Sequence, residues 1–443
     1  MREEWASRTG FILATIGAAV GLGNIWRFSY IAGENGGGVF LLVYLVFVFV
    51  IGLPLVIAEM ALGRRGQGDA VTAFETALPP KPGVAIGWLS VGGAILILSY
   101  YAVIAGWALK YFFGALTGGL WATLGGGYGA YFEDFISHKG EPVLWQSVML
   151  LATGAIVAGG VRAGIERVNF ILMPLLAFIV LGLAIFSLTL PGSSKGVSFL
   201  FTPDFAAFGR PSLYLNALGQ AFFSIGVGMA VFVTYASYLG RSTAIPGAAS
   251  TIILGDTLFA IVAGLAIFPA VFALGGDPAA GPRLAFITFP QILLEMPAGR
   301  VIGIVFFLLL SAAALTSMVS LLEVPVALAA HRLGWPRTHA VAASCALIFL
   351  LGVPSAMSYG VLAQVHLAGL PILDAIDHAV SNFVLPLGGL AIALSVGWVL
   401  GRENALKDSD LEGRAIGAIW LWILRIAVPL MIATILLRSA GLL

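Results

Sequence analysis

Three things are scarce in this 443-residue chain, and each scarcity narrows what it does. Charge is the first: 10% of residues are Asp, Glu, Lys or Arg, the 22 basic side chains nearly cancel the 21 acidic ones, and the formal net charge is +1. So little excess positive charge gives no electrostatic footprint for a nucleic acid. Cysteine is the second: the single Cys345 rules out an intramolecular disulfide. The third is catalytic pattern. No nucleophile motif, metal-ligand cluster or nucleotide-binding loop occurs, which sets an enzyme far behind other readings. Residues 1–9 are polar and charged without a cleavage site, so no removable signal peptide is expected.

What is plentiful is apolar surface. The chain is 60% hydrophobic with a mean hydropathy of +1.03, the composition of a multi-pass membrane protein. Eleven runs of roughly the ~20 residues needed to cross a bilayer are expected. They lie near 10–33, 38–63, 85–116, 143–160, 165–190, 212–240, 248–275, 301–331, 338–355, 370–400 and 415–437. Lysine and arginine in the segments between them divide thirteen to seven in favour of the N-terminal side. That bias predicts a cytoplasmic N-terminus and, with an odd number of spans, a C-terminus outside the cell membrane. The outer segments Gly118 to Pro142 and Gly276 to Pro297 are long, as functional or mobile loops are.

The first run carries a contradiction. Gly17-Ala18-Ala19-Val20-Gly21-Leu22-Gly23-Asn24-Ile25-Trp26-Arg27 places three glycines, an asparagine and an arginine at bilayer depth. Glycine costs about 1 kcal/mol in a helix interior, and an arginine there needs a partner or water. Irregular backbone survives at that depth only where protein buries it or it lines a cavity. A helix broken in mid-membrane accounts for all of these residues. The sixth run repeats the pattern in Ser224-Ile225-Gly226-Val227-Gly228-Met229. Glycines also serve close helix packing, and one such segment alone would favour that reading. Two at matching positions point to an inverted-repeat secondary transporter with its site at the bilayer midplane. The expected fold is therefore all-α and polytopic, with about 11 transmembrane helices in a single transporter domain over 1–443. A 5+5 inverted repeat would pair 10–190 with 212–400, breaking the first and sixth helices, and the helix at 415–437 would be peripheral.

Gly21-Leu22-Gly23-Asn24-Ile25-Trp26-Arg27-Phe28, Glu34-Asn35-Gly36-Gly37-Gly38, and Gly52-Leu53-Pro54-Leu55 through Glu59 to Gly63-Arg64 resemble the neurotransmitter:sodium symporter family. So does Gly281-Pro282-Arg283-Leu284-Ala285-Phe286-Ile287 ahead of Phe289-Pro290. These motifs run in order along essentially the whole chain, in the manner of the shorter, eleven-span bacterial amino-acid transporters of that family. The resemblance implies two Na⁺ ions. One would bind the carbonyls of Gly17, Val20 and Ala313 and the hydroxyls of Thr316 and Ser317. Read from the residues alone, Ala312-Ala313-Ala314-Leu315-Thr316-Ser317 is equally a small-residue packing seam with back-bonded hydroxyls. The other ion would bind the Ala19 carbonyl, the Asn24 amide oxygen, Ser224 and Asp256. Asp256 stands where the family has asparagine, and a carboxylate inside a membrane is a functional group by default. Tyr44, Gln220 and Ser224 match chloride-site positions of animal members, and Ala260 stands where some bacterial members have glutamate. The expectation is that Asp256 supplies the fixed negative charge and makes chloride unnecessary. The competing reading is a neutral aspartic acid that only hydrogen-bonds locally.

The small-molecule substrate would sit between the ions. Backbone amides at Leu22 and Gly23, with the Tyr101 hydroxyl, match the family's carboxylate site. Ala19 stands where monoamine transporters carry aspartate, which favours a zwitterionic amino acid. Ile97, Phe223, Ser224, Gly226, Met229, Ser317 and Leu321 would line an apolar side-chain pocket. Flexible Met229 and small Gly226 widen it for Leu, Met, Phe, Tyr or Trp. Arg27 and Asp377 match the outer gate, over an aromatic lid of Phe223 and Tyr101; a static ion pair is the plainer alternative. Arg2 and Trp5 match the inner latch, whose aspartate partner is replaced here by His331. Glu59 and Glu323 are expected to bond unwound backbone. The reading that follows is a sodium-coupled, chloride-independent symporter of hydrophobic and aromatic L-amino acids in the lipid bilayer, working by alternating access. An amino-acid sensor or ligand-gated channel on the same fold is the alternative.

Overall fold

The computed structural model describes residues 3–122, 127–240, 243–279, 284–295, 298–439 and 442. Apolar runs become unbroken helices because an amide facing lipid has no other hydrogen-bond partner than its own helix. Among the described residues nine such helices are long and apolar enough to cross a membrane. They are span 2 (Gly38–Gly66), span 3 (Pro80–Thr117), span 4 (Glu141–Ala158), span 5 (Val161–Thr189) and span 7 (Ile245–Ala273). Spans 8 (Gly299–Arg332), 9 (Arg337–Ala356), 10 (Ile372–Val399) and 11 (Ala415–Ser439) complete the set.

Two runs are broken, the two whose glycines forecast it. Span 1 is a pair, Arg8–Ala19 and Gly23–Glu34, bent by 50° at the break. Ser7 caps its start, the hydroxyl accepting from the Gly10 amide at 2.9 Å. Span 6 is Pro211–Ile225 followed by Val231–Ser237. Between them Gly226 (φ +82°), Gly228 (φ +87°) and Ala230 (φ +58°) take left-handed backbone, which ends one helix and re-aims the next. Nine unbroken helices and these two broken ones account for the eleven expected segments.

Differences from expectation have local causes. Span 3 begins at Pro80 rather than near 85, since a proline in the first turn loses no helical hydrogen bond. A short helix, Ala70–Ala77, follows span 2 and has no membrane-length signal; Asp69 caps it, accepting from the amides of Val71 and Thr72. Both long segments expected on the outer side contain helices, Gly127–Ser137 and Phe289–Glu295, in place of open loops. The Gly281-Pro282-Arg283 part of the outer motif lies outside the described residues.

Burial separates the helices that build the site from those that meet lipid. In span 3, 78% of the most apolar window is buried, against 33% in spans 5 and 11. Span 8 packs along span 3 and against the first half of span 1. That packing brings the broken backbone of span 1 against the hydroxyl-bearing face of span 8.

Candidate functional site

The break in span 1 frees buried backbone groups from helical bonding, and side chains take them up. Val20 is extended (ψ 108°), and its amide still bonds back to the Ile16 carbonyl. The Gly21 amide donates to Asn24 Oδ1 at 3.0 Å. The Leu22 amide donates to the Tyr101 hydroxyl at 3.0 Å, joining spans 1 and 3, and Gln220 Nε2 donates to the Gly23 carbonyl at 2.8 Å. Glycine at 21 is a matter of space: a Cβ there would come within 2.3 Å of Ser317 Oγ and 2.7 Å of the Tyr101 hydroxyl.

Two oxygen clusters flank this break. In the first, Thr316 Oγ1 lies 2.9 Å from the Ala313 carbonyl and 3.4 Å from that of Val20. Ser317 Oγ lies 3.4 Å from each of the same two carbonyls. Four of the five groups expected for one Na⁺ are thus gathered. The fifth residue, Gly17, lies one turn earlier, against Asn169. In the second cluster Asn24 Nδ2 donates to Asp256 Oδ1 (2.6 Å) and to Ser224 Oγ (3.1 Å). Ser224 Oγ in turn donates to Asp256 Oδ2 at 3.1 Å, and Tyr44 donates to Ser224 at 3.3 Å. The Asn24 oxygen, expected to face an ion, is turned to the Gly21 amide instead. Asp256 is fully buried, and among the described residues no lysine or arginine pairs with it. Apart from the Asn24 amide nitrogen, both clusters present hard oxygen donors, the donor chemistry that suits Na⁺ and not a softer metal. Their oxygens therefore fit the ion implied by the resemblance.

Between the clusters is a small cavity of about 30 Å³. Ala19, Gly23, Ile97, Tyr101, Phe223, Gly226, Met229, Ser317 and Leu321, all expected site residues, line it. Leu22 contributes its amide only, and Ser224 belongs to the Asp256 cluster. Ala18, Ile225, Val231 and Ser320 also line the cavity and were not expected. Ser320 had a signal, since it falls one helical turn after Ser317 on the same face. The others are ordinary apolar residues whose place depends on how the breaks turn.

The gate residues are arranged differently from expectation. Arg27 and Asp377 are not in ion-pair contact. The Arg27 guanidinium lies over the Phe223 ring, 4.4 Å from its centre, and Asp377 accepts from Ser381. A cation held on a desolvated aromatic face is itself stabilised; Arg27 Nη1 also donates to the Gly219 carbonyl and to Gln220 Oε1, both at 3.4 Å, while its buried Nε has no partner among the described residues. Ahead of span 1, Trp5 donates to the Tyr235 carbonyl at 2.9 Å and packs edge-on against Phe11 and Tyr235. Arg2 lies outside the described residues. His331, at the position where the resemblance places the latch aspartate, contacts an acid: its Nδ1 is 2.8 Å from Asp69 Oδ2.

Glu59 bonds unwound backbone as expected, accepting from the Gly228 amide at 2.6 Å. Glu323 does not. It binds Arg337 through both oxygens (2.6 and 3.1 Å) and accepts from the Tyr238 hydroxyl at 2.7 Å. The correction follows from position, because span 9 begins with Arg337 and delivers a guanidinium to it. Glu166 escaped the sequence reading altogether. Its carboxylate accepts from the Ala6 amide and the Ser7 hydroxyl, both at 2.8 Å, tying the segment before span 1 to span 5. Gly10 makes room for it, since a Cβ there would fall 1.8 Å from Glu166 Oε1.

Comparison with known proteins agrees with this geometry. A family model described as the sodium:neurotransmitter symporter family matches residues 2–128 and 127–442. An uncharacterized sodium-dependent transporter of Bacillus subtilis is 39% identical, the match covering 99% of this chain and 98% of that protein. A sodium- and chloride-dependent taurine transporter of Bos taurus is 27% identical over 91% of this chain and 72% of its own length. The crystal structure of MhsT in complex with L-phenylalanine superposes with a TM-score of 0.93 at 50% identity, covering 99% of this chain and 100% of that one.

Proposed function

Because the chain belongs to the sodium:neurotransmitter symporter family, and is thus a sodium-dependent membrane transporter and not an enzyme, we propose that it couples Na⁺ to the uptake of hydrophobic and aromatic L-amino acids. The observation that carries this reading is the placement of one largely apolar cavity between two oxygen clusters that share the broken span 1. The amides near Leu22 and Gly23 and the Tyr101 hydroxyl receive the substrate carboxylate, where the half-helix presents its positive end. Ile97, Phe223, Met229 and Leu321 receive the side chain. The phenylalanine bound by MhsT, a relative with half of its residues in common, supports that substrate class.

Two Na⁺ ions bind. Val20, Ala313, Thr316 and Ser317, with Gly17, hold one; Asp256, Ser224, Asn24 and Ala19 hold the other once the Asn24 amide turns. Each ion bridges span 1 to the rest of the protein, so binding energy is coupled to the shape of the cavity. Asp256 gives the second site its own negative charge, which is the reason transport proceeds without chloride, in contrast to what the name of the taurine relative states for that protein. Alternating access follows from span 1 moving against span 8. Arg27 and Asp377 close the outer side when substrate is bound, and Arg2 and Trp5 latch the inner side. The protein works in the cell membrane with a cytoplasmic N-terminus and the C-terminus outside.

The test is uptake of labelled leucine and tryptophan into proteoliposomes under an imposed Na⁺ gradient, with chloride or gluconate as the anion. Concentrative, Na⁺-dependent uptake that is the same in gluconate is the expected result. Loss of uptake in gluconate would remove the role given to Asp256, and Na⁺-dependent binding without accumulation would remove the symporter.

A further inference from the structure

Three polar side chains line the cavity, and two of them have evident work at one end of it. Tyr101 and Ser317 crowd Gly21 at the break of span 1, where the backbone amides and the ion-binding carbonyls lie. Ser320 stands apart. It is one turn further along span 8, lines the cavity and is only 1% exposed. Its hydroxyl donates to the Ser317 carbonyl at 2.8 Å. The proton is therefore engaged within the helix, and what the oxygen offers the cavity is a lone pair. The apolar neighbours Ile97, Met229 and Leu321 provide nothing to satisfy it.

We propose that Ser320 is a specificity-determining residue: its oxygen accepts a hydrogen bond from the substrate side chain and so favours aromatic amino acids whose ring carries a donor, an indole N–H or a phenol O–H. The inference rests on the amino-acid reading above and names the part of the substrate which that reading leaves open. A leucine or phenylalanine side chain enters the same pocket but leaves the Ser320 acceptor buried and unmatched, which a site built around a polar group penalises. A side chain that needs a donor is also disfavoured, because Ser320 would have to give up the Ser317 carbonyl to supply one.

The experiment is Na⁺-dependent binding to the purified full-length protein, with pairs of probes in which one member lacks the donor: tryptophan against 3-benzothienylalanine, where sulfur replaces the indole N–H, and tyrosine against phenylalanine, which lacks the whole hydroxyl. In the wild type each donor-bearing member is expected to bind about five- to tenfold more tightly, the effect of one neutral hydrogen bond. Ser320→Ala should bring both ratios close to one while leucine, relieved of the unmatched acceptor, binds at least as tightly as to the wild type, so leucine also reports that the variant is folded. Wild-type ratios near one, or ratios that survive in Ser320→Ala, overturn the proposal while the transporter reading stands. Absence of Na⁺-dependent binding for every probe overturns the transporter reading, and this inference with it.

Discussion

Asp256 and Glu323 are both fully buried carboxylates on membrane-crossing helices, yet their surroundings differ in one respect. Glu323 is closed on itself: Arg337 neutralises it through two bonds and Tyr238 adds a third. Asp256 is surrounded by an amide and a hydroxyl, which solvate it but do not cancel its charge. A buried charge without a counter-charge is costly. The contrast separates a carboxylate whose charge is cancelled by a neighbouring guanidinium from one left without a counter-charge. Burial alone would have classed the two as equivalent; the partner list divides them.

The largest effect should come from breaking the closed pair. Arg337→Ala leaves Glu323 unpaired in the interior and is expected to destabilise the protein by about 3–5 kcal/mol, seen as a large loss of melting temperature in detergent. Replacing both residues, with Glu323→Met and Arg337→Met together, should recover most of it, because the cost lies in the orphaned charge. Asp256→Asn should do the opposite. The folded protein persists without Na⁺, but the thermal stabilisation that the wild type gains from NaCl over choline chloride is expected to shrink. Apparent Na⁺ affinity should fall by about tenfold or more, since a charged ligand is worth more than about 1.4 kcal/mol over a neutral one. A variant that retained wild-type Na⁺ dependence would erase the distinction drawn between the two acids.

A smaller effect is expected at the other oxygen cluster. Thr316→Val removes one hydroxyl and keeps the shape, and Na⁺ affinity measured by uptake should drop about threefold to tenfold. The smallest concerns an exposed carboxylate used as a control. Glu75 binds Arg332 through both oxygens, and that hydrogen bond holds its carboxyl below the usual range. A depressed pKa gives stability that is present above the unfolded value and is lost as pH falls through the folded one. Glu75→Gln should therefore lower the melting temperature slightly at neutral pH and not at all in acid. Both side chains are about one-third exposed, so solvent keeps the difference within about 1 kcal/mol.

The parts of this molecule legible in the sequence were those where a residue type contradicts its surroundings. Gly21, Gly23 and Asn24 inside an apolar run announce a broken helix, and Asp256 announces itself by being charged in a membrane. Spans 3 and 8 were legible by length. Glu166 was not, because a glutamate at a helix end contradicts nothing and its meaning comes from what a distant segment brings to it; Ser320 offered only its spacing of one turn from Ser317. His331 shows the limit of matching a pattern. The departure from a latch aspartate was visible, but its partner Asp69 reads in sequence only as the cap of a short helix. Arg27 shows a further limit: its need for a partner was legible, and the choice of Phe223 over Asp377 was a matter of three-dimensional reach.

The fit of Glu166 beneath Gly10 also constrains how this sequence can change over time. Any side chain at position 10 would push the carboxylate off the Ala6 amide and the Ser7 hydroxyl, whereas a shorter residue at 166 vacates the space first. A lineage can therefore leave this arrangement in one order, 166 before 10, and can regain it only by restoring the glycine before the glutamate. Two positions 156 apart in the chain form a ratchet, and Gly10→Ala is expected to be tolerated only on a background already altered at 166.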